Sequence, residues 1–257
     1  MPHPVPTPAL RTSWLALALA MGLISLVNLV HSAPAAEAGS TPPSPLYETR
    51  EPHHRDGIGK FFMDREIAHV MGHQAADWLE RPERESEEET TRMIGLLGLK
   101  PGDVVVDMGC GTGYLTRKLA PKVGPRGRVL AVDIQPEMLD LLTNRLTAVG
   151  ITNVTPVLGG EKDPHLPAGS ADLILMVDVY HEFSHPYEMT AAMCRGLKTG
   201  GLLVFVEFRK EDPKVPIKEH HKMSEAQVKR EMAPHPLEWV RTESGLPWQH
   251  VIFFRRK

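Results

Sequence analysis

Between Asp103 and Phe208 the chain alternates short β-branched apolar runs with segments of helical period. DVVVDM leads into YLTRKLA, RVLAVD into PEMLDLLTNRLTAVG, and ADLILMVDV into a helical stretch at 186–197; NVTPVLG and GLLVFVEF are further strand candidates. Strands that read as nearly continuous apolar runs are buried on both faces, which is the signature of a parallel sheet covered by helices. Ser224 is a cap for a helix running to about Met232, and LEWVRTE and PWQHVIFFRRK read as two closing strands. The pattern predicts an α/β fold with a doubly wound sheet of about seven strands, mostly parallel with an antiparallel closing strand, and helices on both faces.

Composition narrows the functional classes. Lys and Arg number 29 against 32 Asp and Glu, for a net charge of −3 over 257 residues. No global positive field attracts a phosphate backbone, so a nucleic-acid partner is not expected. Two cysteines, Cys110 and Cys194, are too few for a disulfide scaffold or a four-cysteine zinc site.

The N-terminus reads as an address. Arg11 precedes the apolar stretch Trp14–Val30, and Ala33-Pro34-Ala35 follows as an A-x-A-like end. Residues 1–36 are therefore expected to be a signal peptide or an N-terminal anchor. The remainder is then exported, periplasmic or held facing outside, with membrane contact only through that segment; if the leader is not used, the location is cytoplasmic. Residues 37–55 read as a Pro/Ser/Gly linker, with the folded domain at 56–257. Within it, 64–98 are expected to be helical and 99–257 to form the α/β core. The helical reading of 64–80 rests on the spacing of Ile67, Val70, Met71, Ala75, Trp78 and Leu79. The acidic run Glu83–Glu89 reads as a solvated helix face.

The first strand ends in Asp107-Met108-Gly109-Cys110-Gly111-Thr112-Gly113 and opens a helix. Glycines there permit a tight turn and close approach of a ligand, and the helix start offers free N–H groups. The second strand ends in Asp133, 24 residues beyond Gly109, where a carboxylate can accept from both ribose hydroxyls. Tyr114 stands where a dinucleotide fingerprint has its last glycine, and no G-K-[ST] follows, which excludes a P-loop. Asp107 before the loop fits a ligand carrying an ammonium as well as a carboxylate.

With those residues in view, VVVDMGCGTGYLTRKLA, RVLAVDIQPEML, LPAGSADLILMVDVYHEF and GLKTGGLLVFVEF together resemble the class I S-adenosylmethionine-dependent methyltransferases, closest to the small bacterial branch related to quinone-biosynthesis enzymes. The resemblance spans about residues 92–255 and implies a Rossmann-like fold with S-adenosyl-L-methionine as cofactor. It implies that Asp107, Gly109, Cys110, Gly111 and Gly113 surround the methionine part of the cofactor. Asp133 would hold the ribose, and Ile134 would pack on the adenine. Asp163, favoured over Glu161, would meet the adenine amino group, and Asp178 would face the methyl group. Asp178, Tyr180 and His181 are the expected catalytic residues, with Glu207 among the polar groups at the strand ends. The implied reaction is methyl transfer to a small-molecule acceptor; a non-catalytic cofactor-binding module is the alternative.

His181-Glu182-Phe183-Ser184-His185 matches H-E-x-x-H, the zinc-peptidase signature. It follows a buried strand directly, and Pro186 biases residue 185 away from helical geometry. A zinc hydrolase is thus only a remote alternative, and no metal is expected. His53-His54 and His220-His221 offer adventitious metal sites, with solvated or structural roles the stronger reading; His220 and His221 are also the histidines available as a third ligand to H-E-x-x-H. Phe61, Phe62, Met63 and Trp78 are candidates to line a small-molecule site, with core packing the stronger reading for any one of them.

Overall fold

A computed structural model describes residues 46–257. The expected leader and the first part of the linker lie outside the described residues. Strand structure already occurs within the segment that reads as linker. Glu48–Thr49 (β1) pairs antiparallel with Gly57–Phe62 (β2), which pairs with Arg65–Ala68 (β3). Residues 64–68 are therefore not helical. Met63 and Asp64 both adopt positive φ (47° and 66°) between Phe62 and Arg65, a two-residue hairpin turn whose twist matches its strands. Helix returns only in Ala76–Leu79 (α1), Arg84–Glu88 (α2) and Thr90–Leu96 (α3), with Glu89 in the left-handed region breaking the last two apart.

The core follows the expected alternation. Val104–Met108 (β4) leads to Tyr114–Val123 (α4), Arg128–Asp133 (β5) to Pro136–Val149 (α5), and Val154–Leu158 (β6) runs along one edge. Ala171–Val177 (β7) leads to Pro186–Gly196 (α6) and then Leu197–Arg209 (β8). Lys222–Met223 (β9) precedes Glu225–Met232 (α7), with Ser224 Oγ accepting from Gln227 N–H as an N-cap. Leu237–Glu243 (β10) and Gln249–Arg256 (β11) close the chain. The sheet order is β10-β11-β8-β7-β4-β5-β6, with β9 beside β8. The run from β6 to β8 is parallel, and β11 is antiparallel to both neighbours. Pro156 is tolerated in β6 because that strand has a free side.

Period-two alternation divides the core between the two faces. Val106, Ile174 and Phe205 face Met189, Met193, Val228 and Met232 of α6 and α7. Val105, Leu175 and Val204 face Met93, Leu115 and Leu119 of α3 and α4. The parallel strands β4, β5, β6, β7 and β8 deliver their carboxyl ends to one edge, which is where such sheets bind ligands.

Candidate functional site

At that edge a cavity of about 310 Å³ is bounded by the turns after β4, β5 and β7 and roofed by residues 70–88. A smaller cavity of about 70 Å³ adjoins it, sharing Val70, Gly109, Asp133, Ile134, Val179 and Glu182. The size of the larger one suits a small-molecule ligand.

The glycine turn is held to its neighbour strand because Gly109 N–H and Cys110 N–H both donate to Val132 O, at 2.8 and 2.9 Å. Gly109 has φ +71°, and a Cβ there would stand 2.4 Å from Val179 Cγ2. At Gly111, φ is +52°, and a Cβ would stand 2.5 Å from Leu79 Cδ1. Side chains are thus excluded at both positions, and bare backbone lines the cavity.

Asp133 closes β5 in the cavity wall. Its Oδ2 accepts from Gly111 N–H and its Oδ1 from Gln135 N–H, each at 2.9 Å. A carboxylate oxygen has two acceptor sites, so one on each oxygen is still available to a pair of hydroxyls. Ile134, half exposed, offers an apolar platform beside it.

The other end of the cavity is polar and strongly coupled. Asp178 follows β7 with φ +52°, a strained conformation for a non-glycine residue of the kind that gathers at functional sites. Its Oδ2 accepts from Gln249 Nε2 at 3.0 Å, while its Oδ1 is buried without a partner. Burial, aided by the charges of Glu88 and Glu207, holds its carboxyl well above the usual range. His181 is buried in the short 3-10 turn 180–182. Its Nδ1 lies 2.6 Å from Glu207 Oε2 and its Nε2 lies 3.0 Å from His221 Nδ1. Burial lowers both imidazoles to about 4 and raises Glu207 to about 8 and Glu182 to about 7. Both histidines are therefore neutral at pH 7, which leaves ring lone pairs available.

Several expected site residues lie elsewhere. Tyr180 is fully buried; its hydroxyl donates to Glu231 Oε2 at 2.7 Å and its ring packs on Phe183 and Phe205, so it does not reach the cavity and is no candidate for catalysis. The Cys110 side chain packs with Leu139 and Leu142 beneath the turn. A Cβ on Gly113 would stand 2.2 Å from Leu142 Cδ1, so that glycine serves the contact between turn and helix. Asp107 is buried behind the turn, bonded to Thr116 Oγ1, and does not line the cavity. Asp163 stabilises its own loop: Oδ1 accepts from His165 N–H at 2.8 Å. Glu161, the alternative, lines the smaller cavity. Phe62 is core, whereas Trp78 lines the main cavity.

The acidic run is not simply solvated. Glu88 is buried, with Oε1 2.5 Å from Arg81 and Oε2 3.0 Å from Arg84, and all three line the cavity. Glu182 and His221 were not singled out as site residues by the sequence, nor were Arg84 and Gln135. H-E-x-x-H flags Glu182, but pairs it with the wrong histidine. His185 caps α6 and lies 3.0 Å from Ser184 Oγ and 3.4 Å from Glu161, away from His181.

Residues 105–201 match the family model described as a methyltransferase domain. The ubiquinone/menaquinone biosynthesis C-methyltransferase UbiE of Ectopseudomonas mendocina is 36% identical over 118 residues, covering 46% of each chain. That of Bordetella parapertussis is 36% identical over 115 residues, 45% of this chain and 44% of its own. The chain thus spans under half the length of these curated relatives. Among solved structures, an S-adenosylmethionine-dependent methyltransferase from Aquifex aeolicus superposes with TM-score 0.68 at 24% identity, over 72% of this chain and 98% of its own. The [4+2]-cyclase SpnF shares the fold with TM-score 0.53 at 14% identity, over 72% and 81%, so the fold alone does not fix the reaction. Sequence match and fold agree on one conclusion: residues 105–201 match a methyltransferase domain, set in a fold shared with a solved S-adenosylmethionine-dependent methyltransferase.

Proposed function

We propose that this protein transfers the methyl group of S-adenosylmethionine to a small-molecule acceptor held beside Asp178 and His181. The observation that carries this reading is the single cavity joining bare glycine backbone, Asp133 and Ile134 at one end to Asp178, His181 and Glu182 at the other. The cofactor supplies a methyl already activated on a sulfonium, with a neutral thioether as leaving group. Gly109 and Gly111 admit it closely, and Asp133 accepts from its ribose.

The chain's own contribution is then alignment and exclusion of water, which can supply up to about 7–11 kcal/mol for well-positioned reactants. His181, oriented from behind by Glu207, stands beside the acceptor with its Nε2 3.0 Å from His221 Nδ1. The relatives named as quinone-biosynthesis C-methyltransferases support a hydroxylated aromatic acceptor for this chain.

The test is S-adenosylhomocysteine release from a panel of quinols, phenols, amines and thiols. Release with at least one acceptor, lost in Asp178→Asn and His181→Ala while cofactor binding persists, is the expected outcome. Tight cofactor binding with no release above the protein-free rate for any acceptor would overturn the reading.

A further inference from the structure

His181, Glu182 and His221 come together from two separated turns. The 3-10 turn 180–182 follows β7, and the 3-10 turn 219–221 directly precedes β9. Because Lys222 in β9 pairs with Phe208 in β8, His221 is carried to the strand end that holds Glu207. The distances are 3.0 Å between His181 Nε2 and His221 Nδ1, 4.0 Å from the former to Glu182 Oε1, and 3.9 Å from the latter. All three residues line the main cavity.

A ring-to-ring N–H···N bond accounts for the shortest edge. Glu182 Oε1 accepts from Met71 N–H at 3.2 Å, which anchors it facing both nitrogens from beyond hydrogen-bond reach. The point equidistant from the three atoms lies about 2.1 Å from each, the usual bond length from a divalent transition metal to imidazole nitrogen or carboxylate oxygen. Behind His181, Glu207 stands 2.6 Å from Nδ1. A carboxyl group bonded to Nδ1 fixes the ring's orientation and turns Nε2 toward His221 and Glu182.

We propose that His181 Nε2, Glu182 Oε1 and His221 Nδ1 bind one divalent transition-metal cation of the zinc, manganese or ferrous class, which in turn holds an oxygen of the methyl acceptor. Two imidazoles and one carboxylate suit such cations, and suit calcium or magnesium poorly. Three protein ligands leave coordination positions open toward the cavity, as catalytic metal sites do. An acceptor hydroxyl bound there loses its proton more readily. The ligand set departs from the sequence expectation of no metal, and it uses His221 where H-E-x-x-H would use His185. The acceptor's role rests on the methyl-transfer reading; the cation site does not.

The full chain is stripped with chelator and titrated with Zn²⁺ by calorimetry and with Co²⁺ by visible absorption. One cation per chain is expected, with cobalt bands of a nitrogen/oxygen site. Glu182→Gln and His221→Ala should each weaken binding by about tenfold or more. His185→Ala and His220→Ala should leave it unchanged. His221 is partly exposed, so its variant tests the site even if His181→Ala does not fold. Absence of stoichiometric binding, binding indifferent to Glu182→Gln and His221→Ala, or binding lost in His220→Ala would each overturn the proposal. Parallel titration with S-adenosylhomocysteine separates the two readings. Cation binding without nucleoside binding overturns methyl transfer and leaves the site; nucleoside binding without cation binding does the reverse.

Discussion

Asp133 and Asp178 are both partly buried acids at strand ends, yet their hydrogen bonding separates their roles. Asp133 spends one acceptor site per oxygen on backbone N–H groups, which fixes its orientation and leaves two sites toward the cavity. Asp133→Ala should weaken S-adenosylhomocysteine binding by about 2–4 kcal/mol, through loss of bonds to an ionised acceptor; calorimetry checks this, and unchanged affinity would remove the ribose assignment. Asp178 instead leaves Oδ1 buried and unpartnered. Asparagine tolerates the same left-handed backbone, so Asp178→Asn keeps the geometry and removes a poorly solvated charge. The expected result is a higher melting temperature at neutral pH with turnover reduced far more than cofactor affinity. A variant no more stable and fully active would show that the orphaned oxygen does nothing. Neither hydrogen-bond pattern can be read from residue type, which is why the sequence assigns both acids to the cofactor but cannot rank them.

At the scale of elements, the strands and helices from 104 to 256 were legible because each has one dominant signal. β-Branched runs mark the strands, Pro136 and Pro186 open helices, Gly150 closes one, and Ser224 caps another. The N-terminal segment was misread where two signals competed. Ile67, Val70 and Met71 keep a helical spacing, but Phe62, Ile67 and Ala68 are buried as strand residues, and the turn at Met63-Asp64 lacks the glycine that advertises such a hairpin. Tyr180 was misassigned for a related reason: the 3-10 turn after β7 sends successive side chains to different sides. The His220-His221 pair is visible in the sequence, but its partner is not, since pairing of β9 with β8 brings His221 3.0 Å from a residue 40 positions away. The cavity roof is likewise a non-local construction. Glu80 accepts from Thr112 Oγ1 at 2.6 Å and from Arg117, while the Gln135 side chain bonds His73 N–H and Met71 O. Gln135→Ala should speed amide exchange across residues 71–80 and weaken cofactor binding, with a small change in melting temperature, because the roof has few buried contacts of its own. Unaltered exchange there would mean that packing, not these bonds, holds the roof down.

For the whole molecule, the acids beneath the cavity couple stability to pH and to ligand charge. Asp107 lies in the middle of the sheet and faces Thr116, Arg84 and Asp133; burial pushes it up to about 6, against the Thr116 hydrogen bond and the Arg84 charge that lower it. Its folded pKa therefore exceeds its unfolded value of 3.8. The folded state binds the proton more tightly, so this contribution is complete below the unfolded value and is lost as pH rises through about 6. A shift of that size corresponds to roughly 3 kcal/mol, about a fifth to three fifths of a typical domain's stability. Measured against Asp107→Asn, the ligand-free protein should accordingly gain melting temperature as pH falls from 7 to 5. A bound ligand carrying an ammonium near the glycine turn favours the ionised carboxylate and opposes that trend. Stabilisation by S-adenosylhomocysteine should thus be larger at pH 7 than at pH 5, and the difference should shrink in Asp107→Asn. If the stabilisation is the same at both pH values in the unaltered protein, Asp107 does not sense the ligand's charge, and the methionine end of the cofactor lies elsewhere in the cavity.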